Sequence, residues 1–196
     1  MRIYFIRHGE TDWNRELRLQ GREDIPLNDN GKTQAIRCAA SIKELAVDLI
    51  VTSPLQRARD TAHMIGNEIG VQTIVIDEDI IERDFGEASG MTYHDKKEKY
   101  KNIKIPGYEP KESLIKRMKR AIGRYSNQYP EGHVIMVSHG GTINALLSVI
   151  SNGVVGSGKT RLKNTGISII DVEDQQIKLI DYNLEADEFA QKYLYI

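Results

Sequence analysis

"GVVGSGKT", residues Gly153 to Thr160, matches the phosphate-loop pattern G-x-x-x-x-G-K-[ST] letter for letter. Taken at face value it makes the chain a nucleotide-binding fold. Such a loop works only where it leaves a strand and opens a helix, because backbone N–H groups and a helix N-terminus then converge on one phosphate. The flanks run in the opposite order. "TINALLSVI" before it reads as a helix, and "TGISIIDV" after it reads as a strand. The stretch is therefore expected to be a flexible helix-to-strand connection. Contact with a substrate rim is the remaining use for Lys159 and Arg161.

Downstream, "TGISIIDV" and "QIKLIDY" read as two strands joined by a tight turn around Glu173 and Asp174, which makes them antiparallel. Upstream, "GHVIMVSHG" is a strand ending in a glycine turn, and residues 111–129 form a helix with Leu114, Met118, Ala121, Ile122 and Tyr125 inward. "IYFI" at the start is a short buried strand. "PLNDNGKTQAIRCAASIKEL" is a turn and then a helix, with Asn28 as N-cap and Ala35, Cys38, Ala39, Ile42 and Leu45 at helical spacing. "VDLIVTS" is a second strand. Ser53 is expected to cap the next helix, with Pro54 in its first turn and Leu55, Ala58, Ala62, Ile65 and Ile69 as its buried stripe. "QTIVID" is a third strand. Strand–helix alternation argues for a three-layer α/β/α fold with a central mixed, mostly parallel sheet. Residues 1–196 are read as one domain. Residues 80–110 are polar and turn-rich, with lysines at 96, 97, 99, 101 and 104, and are read as a lid.

Composition narrows the function. Of 196 residues, 40% are hydrophobic and 28% charged, which suits one globular unit. A net charge of -1 with interspersed signs gives no electrostatic footprint for nucleic acid. No apolar run reaches membrane-spanning length, and "MRIYFIRHGE" lacks the marks of a signal peptide. The single cysteine, Cys38, excludes a disulfide framework, so a reducing, cytoplasmic setting is expected. The five histidines show no zinc-site spacing, and nothing in the sequence calls for a cofactor. An oligomer is compatible with the patterning.

The chemistry gathers at strand ends. The first strand ends in Arg7-His8-Gly9-Glu10-Thr11, the second in Thr52-Ser53-Pro54 with Arg57 and Arg59 beyond, and "GHVIMVSHG" ends in Ser138-His139-Gly140-Gly141. Ligands of open α/β sheets sit beyond the carboxyl ends of the strands. If the strands are parallel, two histidines, arginines, glycines and helix N-termini meet there. Arginine forks match phosphate oxygens, and helix N-termini add oriented N–H groups. A histidine kept neutral by nearby arginines can accept a phosphoryl group. Its leaving alkoxide needs a proton from a carboxylic acid, for which Glu10, Asp12, Glu82, Asp84 and Glu87 are candidates. Glu82 lies where the chain enters the lid. His63, His94 and His133 lack such a context and are read as surface or lid residues.

These motifs resemble the histidine phosphatase superfamily in its phosphoglycerate mutase-like branch. The likeness runs in order through Arg7-His8-Gly9-Glu10-Thr11, Asn14, Gly21, "PLNDNGKTQA", "TSPLQRARDTA", Glu82 with Phe85-Gly86, "SHGG" and Thr165-Gly166. The resemblance implies that His8 is the nucleophile and that Glu82 is the general acid, later activating water. It further implies that Arg7, Asn14, Arg57, His139 and the Gly140 amide bind the phosphoryl group, and that no metal is needed. After the acid the chain reads Gly86-Glu87-Ala88-Ser89-Gly90, where phosphatase relatives show Gly-x-Trp-Glu-Gly. It reads Glu82-Arg83-Asp84-Phe85-Gly86 where mutases show Glu-Arg-His-Tyr-Gly. "PGYEPKES" is similar to the phosphatase version. The expected activity is hydrolysis of a small anionic phosphomonoester. A cofactor-dependent phosphoglycerate mutase and a non-catalytic phosphate-binding or docking relative are the alternatives.

Overall fold

A computed structural model describes residues 1–195. Strands β1 (Arg2–Arg7), β2 (Leu49–Thr52), β3 (Ile74–Ile76), β4 (His133–Ser138), β5 (Ile167–Glu173) and β6 (Gln176–Leu184) form one sheet in the order β3-β2-β4-β1-β5-β6. β1, β2, β3 and β4 are mutually parallel, with Arg7 opposite Ser138 and Thr52 opposite Val137. β5 runs antiparallel to β1 and β6 antiparallel to β5. The sheet is thus mixed and mostly parallel, as expected.

Alternation along the strands builds two cores, because successive side chains leave opposite faces. Ile3, Phe5, Leu49, Val51, Val134 and Met136 pack on one face with Leu146 and Leu147 of α6 (Gly140–Ile150) and Met118 and Ile122 of α5 (Lys111–Gln128). Tyr4, Ile6, Ile50, Ile135 and Val137 pack on the other with Cys38 and Ala39 of α2 (Asp29–Ser41) and Ala58, Ala62 and Ile65 of α3 (Gln56–Ile69). These are the three layers. The chain leaves β1 toward one face and β4 toward the other, so the crevice between their carboxyl ends is the switch point where a ligand is expected.

Several local expectations hold. Asn28 caps α2, its side chain accepting from Gly31 N. The inward residues of α5 are all buried. β5 and β6 join through Asp174 and Gln175, both with positive φ. Ser53 is a correction: α3 begins later, its N-cap is Leu55 without a side-chain cap bond, and Ser53 is completely buried. The short helices α1 (Asp12–Arg15) and α4 (Tyr93–Lys99) and the terminal helix α7 (Ala186–Tyr193) go beyond the elements expected from the sequence. α7 is mostly polar and buries only Phe189 and Ala190, with Ala186 and Tyr193 half-buried beside them, too sparse a stripe to stand out as a period. Cys38 is a buried free thiol, pushed up to about 12 by burial. None of the described helices is long and apolar enough to cross a membrane.

Candidate active site

The tips of β1 and β4 place two imidazoles side by side. His8 and His139 are both buried, with ring centroids 5.1 Å apart. His8 is held from behind: its N–H donates to Ser138 O at 3.0 Å, and its own carbonyl accepts from Asn164 Nδ2 at 3.0 Å. Its Nδ1 lies 2.7 Å from Gly9 O. A carbonyl oxygen can only accept, so the proton sits on Nδ1 and the Nε2 lone pair is free. Burial, then the charges of Arg57 and Arg7, hold the His8 imidazole well below its usual range. The ring is therefore neutral.

The Gly9 turn survives only because it lacks a side chain. A Cβ there would lie 2.4 Å from Gly31 O at the start of α2. Gly9 N donates to Thr61 Oγ1 at 3.1 Å, and that hydroxyl donates to Arg57 O, tying the turn to α3.

Arg57 is fully buried, not the solvated helix residue it would be in isolation. Its two terminal nitrogens donate to Glu23 O at 2.6 Å and Gly21 O at 2.8 Å, while Nε has no partner among the described residues. Burial lowers its pKa to about 10, against the opposing charge of Glu82, which leaves it cationic at neutral pH. Arg7 donates from Nη1 to Leu162 O at 2.6 Å, and its Nε is also buried without a partner among the described residues. Asn14 closes the same corner. Its Oδ1 accepts from Thr11 N, Thr11 Oγ1 and Asn164 Nδ2, each at 3.2 Å, which leaves its amide nitrogen for other use.

Glu82 is buried at the N-terminus of α6. Its carboxylate accepts from Gly141 N at 3.0 Å, Thr142 N at 2.8 Å, Thr142 Oγ1 at 2.9 Å and Arg83 N at 2.8 Å. A carboxylate is suited to this place by the helix dipole and by the orphan N–H groups there. A Cβ on Gly141 would lie 2.8 Å from Glu82 Oε1, and one on Gly140 would lie 3.3 Å from Arg7 Nε. The glycine pair is thus the spacer between acid and arginine. Of the other carboxylate candidates, Glu87 is exposed and accepts from Tyr100 OH, Glu10 accepts from Asn28 Nδ2, Asp12 is exposed, and Asp84 accepts from Gly86 N.

Of the seven residues singled out in the sequence, Arg7, His8, His139 and Gly140 lie at the ends of β1 and β4, Arg57 in the first turn of α3, Asn14 in α1, and Glu82 in the loop after Ile80. His63 and His94 are exposed and His133 half-buried. Reasoning from sequence misses Ser53, whose Oγ is 2.7 Å from His139 Nε2. It also misses Asn164 and Arg117, the latter donating to Glu82 O at 3.3 Å and to both oxygens of Glu109. No local pattern marks these three. The phosphate-loop match lies at the other end of α6, and Lys159 Nζ folds back on Gly153 O.

A model of the histidine phosphatase superfamily (branch 1) matches residues 3–185. The chain belongs to that superfamily. It is 37% identical over 184 residues to the uncharacterized phosphatase PhoE of Bacillus subtilis (strain 168), covering 94% of this chain and 95% of that one. It is 30% identical to the probable phosphoglycerate mutase GpmB of Cronobacter sakazakii, covering 88% and 86%. Among solved structures it is similar to phosphoserine phosphatase of Entamoeba histolytica, crystallised as a mutant with phosphoserine (TM-score 0.80, 28% identity, 98% and 99% covered). As a member of this superfamily the chain is a hydrolase of small phosphate esters. Arg57, Ser53 and His139 line a site for the anionic phosphate group.

Proposed function

We propose that the chain is a phosphatase that hydrolyses small phosphomonoesters through a phosphohistidine on His8. The observation that carries this reading is the His8 tautomer. With Nδ1–H tied to Gly9 O and the ring neutral, Nε2 is an aimed nucleophile. Arg7, Arg57, His139, Asn14 and the Gly140 amide are its phosphate ligands. Buried donors on Arg7 and Arg57 without partners among the described residues support that role, since buried polar groups are otherwise paired. Gly140 supplies the first N–H of α6, an orphan by position.

Glu82 protonates the leaving oxygen and then takes a proton from the attacking water. Its support is placement: Glu82 is buried across the Gly140–Gly141 pair from Arg7, and its hydrogen bonds to the start of α6 hold it there. The chain works as one domain, with residues 80–110 as the lid. In favour of a lid, the segment leaves and returns at one neck. There Glu109 N donates to Asp84 O, and Arg83 donates twice to Glu109 O.

The phosphatase relative and the phosphoserine-bound structure lend support to hydrolysis of a small ester. The decisive experiment mixes purified protein with phosphomonoesters, quenches in mild base and maps the acid-labile phosphate. Label on His8, with release of inorganic phosphate, is expected. Turnover without label on His8, or phosphoglycerate isomerisation outpacing hydrolysis, would overturn the reading.

A further inference from the structure

Ser53 faces the second histidine from the turn between β2 and α3, and both side chains are completely buried. Pro54 has no N–H, so the first backbone donor to reach the Ser53 oxygen is Leu55 N, at 3.3 Å. That N–H can only donate, so it fills an acceptor site on Oγ. The serine hydrogen then needs an acceptor, and His139 Nε2 stands 2.7 Å away.

The imidazole has two ways to answer. A neutral ring carries one N–H. If Nε2 held it, Nε2 would donate to Ser53, and the buried serine hydrogen would lose its acceptor. Nδ1, which is buried and has no protein partner among the described residues, would then be a bare lone pair. Leaving a buried hydroxyl unsatisfied costs its desolvation with no bond in return. If Nδ1 holds the proton instead, the serine hydrogen is satisfied and His139 keeps one free donor, 5.1 Å ring to ring from His8. The imidazolium, which would donate from both nitrogens, is disfavoured by burial and then by the charges of Arg57 and Arg7.

We propose that Ser53 is a positioning residue: its hydroxyl donates to His139 Nε2, holds the ring as the Nδ1–H tautomer, and so makes His139 a hydrogen-bond donor to the transferring phosphoryl oxygens. The last step rests on reading this pocket as the phosphoryl site. The other tautomer would turn a lone pair toward an anion and repel it.

Long-range ¹⁵N–¹H correlation spectra of histidine-labelled protein read the tautomer directly. In the wild type, His139 should show protonated Nδ1 and bare Nε2. In Ser53→Ala it should become a tautomer mixture, while the His8 pattern, fixed by Gly9 O, stays as it is. Inorganic phosphate should bind Ser53→Ala about 10-fold more weakly, the loss of one charge-assisted hydrogen bond. Protonated Nε2 in the wild type, or an unchanged His139 pattern in Ser53→Ala, would overturn the proposal. If Ser53→Ala fails to fold, the wild-type spectrum decides. The expected spectra in a protein that neither binds phosphate nor hydrolyses esters would instead overturn the functional reading and leave the serine–histidine bond in place.

Discussion

The two ends of α6 both carry glycine-rich turns, and they behave in opposite ways. At the N-terminal end, Gly140 and Gly141 follow β4, and the helix offers N–H groups and a partial positive charge. Two of those N–H groups hold Glu82, and the helix start sits against Arg7. At the C-terminal end, Gly153–Thr160 carries the better match to a phosphate-binding pattern, yet meets the carbonyl end of the dipole. Most of its N–H groups are already taken: Gly153 by Ser148 O, Val154 by Ser151 O, Val155 by Ser151 Oγ, Gly156 by Thr160 Oγ1, Ser157 by Asn144 O, and Lys159 and Thr160 by Gly156 O. A loop that satisfies most of its own donors has little to offer an anion. What makes a phosphate site is the end of the helix on which the glycines fall, and whether their amides remain unpaired.

The contrast can be broken most directly at its extremes. His8→Ala should lower phosphate-ester turnover by about 10³-fold or more, as loss of a covalent nucleophile does, with circular dichroism and melting showing the fold retained. Lys159→Ala should leave kcat/KM within about twofold, an exposed residue folded on its own loop being worth little. Tight nucleotide binding lost with Lys159→Ala, with His8→Ala harmless, would reverse the assignment of the two ends.

Next in size is the acid at the helix start. Glu82→Gln should slow alkyl phosphates by about 10²-fold, in the range of general acid catalysis, and p-nitrophenyl phosphate much less, because a good leaving group needs no proton. Equal slowing of both esters would remove Glu82 from that role.

Glycine for glycine the comparison sharpens further. Gly141→Ala puts a methyl 2.8 Å from Glu82 Oε1 and should cost roughly 10-fold or more in kcat, as a displaced catalytic group does. Gly158→Ala meets nothing within 4 Å, but its φ of +80° strains any side chain. It should lower stability by about 1 kcal/mol and leave kcat unchanged. Steady-state kinetics and denaturant melts on the pair separate the two effects.

The smallest effect is on stability against pH. His8 and His139 are neutral in the fold and held well below their usual range, mainly by burial. The unfolded chain protonates them near pH 6.5. It therefore binds more protons below that pH, and stability falls as pH drops through about 6.5. The slope is about 1.4 kcal/mol per pH unit for each histidine. His8→Ala should remove one histidine's share, measured as urea midpoints between pH 7 and 5.5. The same slope in wild type and His8→Ala would mean that the imidazole is not held neutral.

Much of the fold and of the site is legible in the residues alone. Residue types at strand ends name the histidines and arginines, the family resemblance picks Glu82 out of five carboxylates, and apolar periodicity places the parallel strands and the main helices. Ser53 escapes such a reading because Ser-Pro ahead of an apolar stripe is a sound helix-start signal. Its hydroxyl is claimed by a histidine 86 residues away, and a pattern of neighbours carries no trace of that. Asn164 and Arg117 escape for the same reason: each acts on backbone far away in the chain. α7 escapes because only Phe189 and Ala190 of it are buried.

By itself, then, the sequence determined the alternating layers, the family, and which residues could do chemistry, because periodicity and short motifs are local properties. Only the tertiary structure decided which end of α6 meets the anion, which nitrogen of each histidine is free, and which carboxylate is buried beside an arginine. Those depend on contacts between β1, β4, α3 and α6, segments that come together only when the sheet is assembled.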